Sequence, residues 1–253
     1  MGNMISLGNG LPAYLSTPEG FTDGTAQEGG LIKGALIVIH EVWGLVEHTK
    51  EVADRFAAEG YLVLAPDLLA DERMQPELAA ELQDKLFDPE SRAEVQPRLR
   101  EATAPLQAPG FGEKTAAGMQ TCFDYLAAIG AVGERIGITG FCFGGSYSFS
   151  LAVSEPRLKA AVPFYGHADF STDQLRSIAA PVLAFYGDKD EAPVSKLPAL
   201  KDSMREAGVE FTAIVYPDAG HAFFNDTNRW TYRQDDAADA WRKTLDFLDK
   251  NLR

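Results

Sequence analysis

The stretch "ERIGITGFCFGG", residues 134–145, runs from an apolar, β-branched segment into a cysteine bracketed by glycines. Read as strand, tight turn and helix, residues 140–144 match a Gly-x-Ser-x-Gly nucleophile turn with Cys142 in place of the serine. Such a turn holds its central residue in a sparsely populated backbone conformation and needs glycines where strand and helix approach closely. It also places the thiol at a helix N-terminus, which favours a thiolate by ~1 kcal/mol. These features predict that Cys142 is a nucleophile.

The segments around this turn alternate between two patterns. Short apolar runs that end in turn residues predict buried strands at 34–41, 60–68, 134–141, 158–166, 180–188 and 210–217. Helical patterns lie at 46–59, at 76–106 with interruptions at Pro89 and Pro97, at 112–129, 143–155 and 194–207, and from about 229 onward. This alternation predicts an α/β fold with a mostly parallel central sheet and helices on both faces. Residues 5–18 predict one antiparallel edge hairpin.

The length of 253 residues and the 45% hydrophobic content are enough for one large core. We therefore predict a single domain over residues 1–253. The Gly- and Thr-rich residues 20–30 are predicted as a surface loop. The charged stretch 71–108 is predicted as an excursion that could cap a site. Ligands of such sheets bind at the carboxyl ends of the strands, so the chemistry is expected there.

The charge of the chain restricts its partners. A net charge of −14 repels nucleic acid and anionic membrane surfaces, so a small molecule is the expected partner. The N-terminus lacks a basic stretch followed by an apolar core, and no run of eighteen apolar residues occurs, which predicts a cytoplasmic protein. Cys122 and Cys142 are expected to be free thiols, with Cys122 in a helix core. We expect no cofactor and no metal.

A nucleophile of this kind needs a general base, which follows the nucleophile and an acid in the chain. Of the four histidines, only His221 lies beyond the last predicted strand, in the loop "YPDAGHAFFND" before the C-terminal helix. Gly220 allows the backbone to turn so that the imidazole reaches back across the sheet. His40, His48 and His167 are interpreted as structural histidines.

The acid is expected in "FYGDKDEAPV", which ends the strand before the one leading to His221. Asp188, Asp190 and Glu191 are the candidates. Asp188 immediately follows a glycine and fits a turn in which its carboxylate bonds its own backbone. Asp190 lies farther into the loop and is the favoured candidate.

Five motifs together, "HEVWG", "APDLL", "GFCFGG", "GDKDEAP" and "AGHAFF", resemble the dienelactone hydrolase family of carboxymethylenebutenolidase-like proteins, which have the α/β-hydrolase fold. The resemblance covers nearly the whole chain. It implies a cysteine-dependent hydrolase of small ester or lactone substrates, with Cys142, Asp190 and His221 as the catalytic triad. It further implies that Glu41 contacts the nucleophilic sulfur, where its charge would oppose thiolate formation before substrate arrives.

The sequence departs from the family pattern at one position. The founding members carry an arginine four residues after the catalytic histidine to hold a substrate carboxylate, and here Asn225 stands there. A second family arginine corresponds to one of four candidates in the excursion, namely Arg73, Arg92, Arg98 and Arg100. Losing one anchor predicts weaker discrimination in favour of acidic lactones.

Other residues are predicted around the reacting carbonyl. The backbone N–H groups of Val42 and Phe143 are expected to form the oxyanion hole. Trp43 and Tyr165 lie at strand ends facing the predicted pocket, with packing under the loops as the alternative. Two other functions stay open, a catalytically inactive binding module and a thiol redox or peroxide-sensing protein.

Overall fold

The computed structural model describes residues 2–22, 25–26, 32–88 and 90–252. Within these ranges, the main sheet has eight strands in the order β1-β2-β6-β5-β7-β8-β9-β10. Its strands are β1 (Asn3–Ser6), β2 (Pro12–Ser16), β5 (Gly34–Ile39), β6 (Tyr61–Pro66), β7 (Ile136–Phe141), β8 (Ala160–Phe164), β9 (Val182–Gly187) and β10 (Phe211–Tyr216). Strands β5 to β10 are parallel, and β1 and β2 form the predicted antiparallel edge hairpin. The predicted mostly parallel sheet is confirmed.

Helices cover both faces of this sheet, as predicted. They are α1 (Glu47–Ala58), α2 (Pro76–Leu86), α3 (Arg92–Thr103), α4 (Phe111–Ala127), α5 (Phe143–Ser154), α6 (Thr172–Leu175), α7 (Glu191–Ala207) and α8 (Gln234–Asn251). One core contains side chains of α4, α5 and α7, and a second core contains side chains of α1 and α8. Strands buried on both sides explain why the sequence shows continuous apolar runs rather than alternation.

The structure differs from the predicted elements at a few places. Helix α3 continues through Pro97, so the predicted interruption there is wrong; the helix continues although the proline removes one backbone hydrogen bond and crowds the carbonyl four residues earlier. Phe21–Thr22 pairs with Thr25–Ala26 as a short hairpin, β3 and β4, inside the predicted loop 20–30, whose other residues lie partly outside the described ranges. The predicted break at Pro89 falls on a residue outside those ranges. Helix α6 was not predicted.

The excursion forms helices α2 and α3 and a short 3-10 helix at Ala104–Gln107. Val95 of α3 and Ala79 and Leu82 of α2 form a small apolar cluster with Trp43, which is only 6% exposed. The excursion is therefore packed over the loop that follows β5. No helix in the described ranges combines the length and apolar character that crossing a membrane requires.

Candidate active site

The nucleophile turn has the strand–turn–helix geometry that the sequence indicates. Strand β7 ends at Phe141, Cys142 has φ 56° and ψ −110°, and α5 begins at Phe143. A Cβ on Gly140 would lie 2.3 Å from the Gly144 carbonyl oxygen, and one on Gly144 would lie 2.3 Å from that of Ile39. These distances are too short for any side chain, so only glycine allows α5 to begin this close to the sheet.

His221 and Asp190 meet above the ends of β9 and β10. The His221 Nδ1 atom lies 2.6 Å from Asp190 Oδ2, whereas Asp188 is exposed and turned to the surface. The two loops approach closely, because a Cβ on Gly187 would lie 2.4 Å from the Ala219 carbonyl oxygen. An Nδ1–H that donates to the carboxylate leaves Nε2 of His221 free to accept a proton.

Two opposing effects act on the pKa of His221. Burial disfavours the charged imidazolium, although the side chain remains 26% exposed. The charges of Cys142 and Asp190, together with hydrogen bonds to both, outweigh burial and raise the pKa of His221 well above its ordinary value. Once Cys142 is ionised, the arrangement therefore stabilises the imidazolium of His221.

Backbone contacts bring the two predicted oxyanion donors into the same region. The Gly144 N–H donates to the His40 carbonyl oxygen at 3.1 Å, which ties the start of α5 to the end of β5. Phe143 directly precedes Gly144, and Val42 follows His40 by two residues. Across the residues that the structure describes, neither the Val42 nor the Phe143 N–H has a hydrogen-bond acceptor. Both donors are free to bind a developing oxyanion.

Glu41 is buried beside this loop, with 5% of its surface exposed. The Asn225 side chain donates from Nδ2 to Glu41 Oε2 at 2.7 Å. Asn225 is itself oriented, because its Oδ1 accepts from the backbone N–H and the hydroxyl of Thr227. Asn225 is therefore a buried anchor for Glu41 rather than an open pocket residue. The described contacts include no hydrogen bond between Glu41 and Cys142.

Tyr165, which directly follows β8, packs against His221. Its ring centroid lies 4.9 Å from that of His221, and its backbone has a φ of 39°. Burial, reinforced by the negative charges of Glu41 and Cys142, raises the pKa of Tyr165 well above its ordinary value, so its hydroxyl stays a donor. Tyr165 Oη and Glu41 Oε1 are both buried, and the interaction of this hydroxyl with the Glu41 carboxylate also raises the pKa of Tyr165.

A cavity of about 340 Å³ opens between the β5 loop and α2, with Trp43, Arg73 and Met74 in its lining. Arg73 also pairs with the buried Asp67 carboxylate. Of the four candidate arginines, Arg73 is the one that lines this cavity. The others lie exposed on α3: Arg92, Arg98 and Arg100.

The remaining histidines have other contacts. His40 is fully buried; its Nδ1 donates to the Glu41 carbonyl oxygen at 2.6 Å, and its Nε2 accepts from the Leu68 N–H at 3.1 Å. His48 of α1 pairs with Asp226 in the loop after His221, at 3.1 Å. Both are structural, and both hold loops that carry site residues.

Some residues around the site were missed by sequence reasoning. The phenyl ring of Phe87, at the end of α2, stacks 6.4 Å from His221, and no local pattern indicates this contact. The position of Asn225 could have been predicted, because the sequence Asn-x-Thr allows an Asn side chain to bond the backbone N–H two residues on.

Cys122 is fully buried in α4, and burial raises its pKa to about 12. No group of three metal-ligating side chains occurs within the described ranges.

Comparisons with known proteins identify one family. The model of the dienelactone hydrolase family matches residues 24–252. A Salmonella typhimurium protein named "Putative carboxymethylenebutenolidase" is 30% identical over 96% of this chain and 84% of its own length. A Methylorubrum extorquens protein of the same name is 33% identical over 94% of this chain and 76% of its own.

Solved structures agree with these matches. A Klebsiella pneumoniae crystal structure described as "Putative Dienelactone Hydrolase" aligns with a TM-score of 0.77 and 28% identity, covering 98% of both chains. The dienelactone hydrolase from Anabaena variabilis, at 17% identity and a TM-score of 0.65, shares the fold over 100% of this chain and 98% of its own. The eight-stranded sheet with helices on both faces is thus the α/β-hydrolase fold.

Proposed function

The chain belongs to the dienelactone hydrolase family, and we propose that it hydrolyses small esters or lactones through Cys142, Asp190 and His221. The observation that carries this proposal is the 2.6 Å contact between His221 and Asp190 next to a strained cysteine at the start of α5. A nucleophile, a base and an orienting acid in this chain order are the requirements for acyl transfer on such a fold.

The reaction proceeds in two halves. His221 accepts the thiol proton at Nε2 while the Cys142 sulfur attacks the substrate carbonyl. The tetrahedral oxyanion collapses, the bond to the leaving oxygen breaks, and that oxygen takes the proton from His221. Water then gives a proton to His221 and attacks the acyl thioester; the carbon–sulfur bond breaks, the acid is released, and the Cys142 sulfur takes the proton back from His221. Asp190 stabilises the imidazolium that forms in each half.

The surrounding groups stabilise the charge that develops in the transition state. The free N–H groups of Val42 and Phe143 serve the oxyanion, and one such donor is typically worth ~3 kcal/mol. Glu41 and Tyr165 border the same region, where a negative carboxylate disfavours a thiolate until a substrate carbonyl is present. Cys122 is buried, so the described residues contain no second accessible thiol that could form a disulfide with Cys142 within one chain.

Replacement of each cysteine tests the proposal. We expect Cys142→Ala to lower the hydrolysis of p-nitrophenyl acetate by at least about a thousandfold, because removing the nucleophile of such a triad costs more than this. Cys122→Ala, which alters the buried thiol of α4, is the matched control and should retain most of the rate. Equal loss in both variants, or full activity in Cys142→Ala, contradicts the triad. A wild type without ester turnover that still binds lactones would instead be a binding module.

A further inference from the structure

The Glu41 carboxylate has no cation beside it. Within the described ranges, no Lys, Arg or His side chain forms an ion pair with Glu41. Its partners are two uncharged donors, because Asn225 donates from Nδ2 at 2.7 Å and the Tyr165 hydroxyl interacts with the same carboxylate. An amide and a phenol stabilise a carboxylate by hydrogen bonds, but neither cancels its charge.

The orientation of Asn225 fixes this arrangement. Its Oδ1 accepts from the backbone N–H of Thr227 at 3.0 Å and from the Thr227 hydroxyl at 2.7 Å, so the donor group Nδ2 faces Glu41. Asn225 and Glu41 are only 2% and 5% exposed. Water therefore screens the Glu41 charge less than it screens a charge on the surface.

This carboxylate lies close to the reacting atoms. Glu41 stands between Val42, a predicted oxyanion donor, and His40, whose carbonyl oxygen accepts from a backbone N–H in the first turn of α5 at 3.1 Å. The charges that act most strongly on the Tyr165 hydroxyl are those of Glu41 and Cys142, so this hydroxyl lies near both groups. A substrate bound at the sulfur is therefore within reach of the Glu41 charge.

Basic side chains on the neighbouring loops are paired with other carboxylates. Arg73 pairs with the buried Asp67, and His48 pairs with Asp226 at 3.1 Å. The loss of a positive anchor at position 225 would by itself only weaken a preference for acidic substrates. A carboxylate that keeps its charge beside the sulfur goes further, because it repels them.

We propose that the charge of Glu41 makes the site select uncharged or cationic esters and lactones over anionic ones. This inference rests on the proposed function and adds the substrate class. A substrate carboxylate would meet Glu41 without a cation to pair with, and the repulsion of two unit charges about 10 Å apart at an effective dielectric of about 20 corresponds to roughly tenfold in kcat/KM. The same charge attracts a quaternary ammonium group.

The test compares three aryl acetates that give the same acetyl thioester: m-acetoxybenzoate, m-acetoxybenzamide and m-acetoxyphenyltrimethylammonium. Each kcat/KM is divided by the rate constant of that ester for hydrolysis by hydroxide, which corrects for intrinsic reactivity. At about 1 M salt the Debye length is ~3 Å, so the net charge of −14 is screened while buried charges are screened much less. We expect the corrected value of wild type to be about tenfold lower for the anionic than for the neutral ester, and at least as high for the cationic as for the neutral ester.

Replacement of Glu41 assigns this preference to one charge. Glu41→Gln keeps the shape, since its amide oxygen can still accept from Asn225 and its NH2 group can donate to the Tyr165 hydroxyl. We expect the corrected neutral-to-anionic ratio to fall from about ten to about one, although both absolute rates change. Glu113→Gln is the matched control, because Glu113 is exposed on α4 and the substitution changes the net charge equally. It should leave the ratio unchanged.

Each outcome decides the inference. A neutral-to-anionic ratio that is the same in wild type and Glu41→Gln, or that falls equally in Glu113→Gln, overturns it and leaves the proposed function standing. A wild type that prefers the anionic ester also overturns it. If Glu41→Gln does not fold, wild type decides alone, because equal corrected values for the three esters contradict the inference. A wild type that hydrolyses none of them contradicts the proposed function itself, and the inference falls with it.

Discussion

Backbone strain at single residues occurs near the thiol and in the loop that carries His221. Among the described residues, four non-glycine residues have positive φ: Cys142 (56°), Tyr165 (39°), Asp218 (58°) and Ala222 (61°). Cys142 is the proposed nucleophile, Tyr165 packs on His221, and Asp218 and Ala222 lie on either side of His221 in the chain. Non-glycine residues in this region cost of order 1–3 kcal/mol each and persist only where the surrounding structure holds them. The backbone has been fixed in unfavourable conformations at the positions where the side chains must converge.

Replacing Glu41 tests whether its charge opposes ionisation of the Cys142 thiol. Glu41→Gln removes the charge and keeps an oxygen for the Asn225 hydrogen bond. Two like charges ~4 Å apart at an effective dielectric of ~20 repel by ~4 kcal/mol, so removing one should accelerate alkylation of Cys142 by iodoacetamide by about tenfold or more, while ester hydrolysis slows. Mass spectrometry distinguishes Cys142 from the buried Cys122, which serves as the unreactive internal control. An alkylation rate that is unchanged or lower would show that Glu41 is an ordinary structural carboxylate.

The chain order of nucleophile, acid and base allows the proposed triad of Cys142, Asp190 and His221 to be predicted from the sequence, since each of the three follows a strand that ends at the same edge of the sheet. The Asn225–Glu41 contact could not be predicted from composition or spacing. It joins residues 184 positions apart and depends on how the loop after His221 folds back over β5. Only the three-dimensional path of that loop shows that Asn225 is buried.

At the scale of elements, long apolar runs and amphipathic segments were sufficient to find the six parallel strands and seven of the helices that the structure describes. The shortest helix could not be found in this way. Helix α6 has four residues, too few for a hydrophobic period, although the capping box formed by Ser171 and Gln174 was a readable start signal. Pro97 predicts a break, because an interior proline removes one backbone hydrogen bond and crowds the carbonyl four residues earlier, but α3 continues through it.

His40 joins two of these elements and makes them sensitive to acid. Burial lowers its pKa to about 4 from an ordinary value of 6.5. As the pH falls through this window, the unfolded chain gains a proton on His40 that the folded protein does not bind, so stability is lost. We expect wild type to lose about 3 kcal/mol more of its free energy of unfolding than His40→Gln between about pH 7 and about pH 4.

Urea denaturation at the two pH values measures this difference. Glutamine retains one donor and one acceptor for the Glu41 carbonyl and the Leu68 N–H, so both variants can keep the link between β5 and β6. Equal acid sensitivity of the two proteins would show that His40 does not carry the effect.

At the scale of the whole molecule, the net charge of −14 acts on any charged substrate that approaches the site. Because salt shortens the Debye length from ~30 Å at ~0.01 M to ~8 Å at ~0.15 M, kcat/KM for an anionic ester should rise severalfold over that range. A neutral ester of similar size is the control and should change little. An anionic ester whose kcat/KM falls with added salt would reveal a local cationic site that dominates the overall charge.

Hydrolysis through the proposed triad requires a covalent bond between the substrate and Cys142, and the most direct measurement is a search for that bond. The protein is mixed with p-nitrophenyl acetate, quenched in acid within the first turnover, digested and mapped by mass spectrometry. We predict one acetyl group on the peptide that contains Cys142, absent after longer incubation as the thioester is hydrolysed, and no acetyl group on Cys122. Ester turnover without acetylation of Cys142 at any quench time, or with acetylation elsewhere that forms and decays at the catalytic rate, would contradict the account.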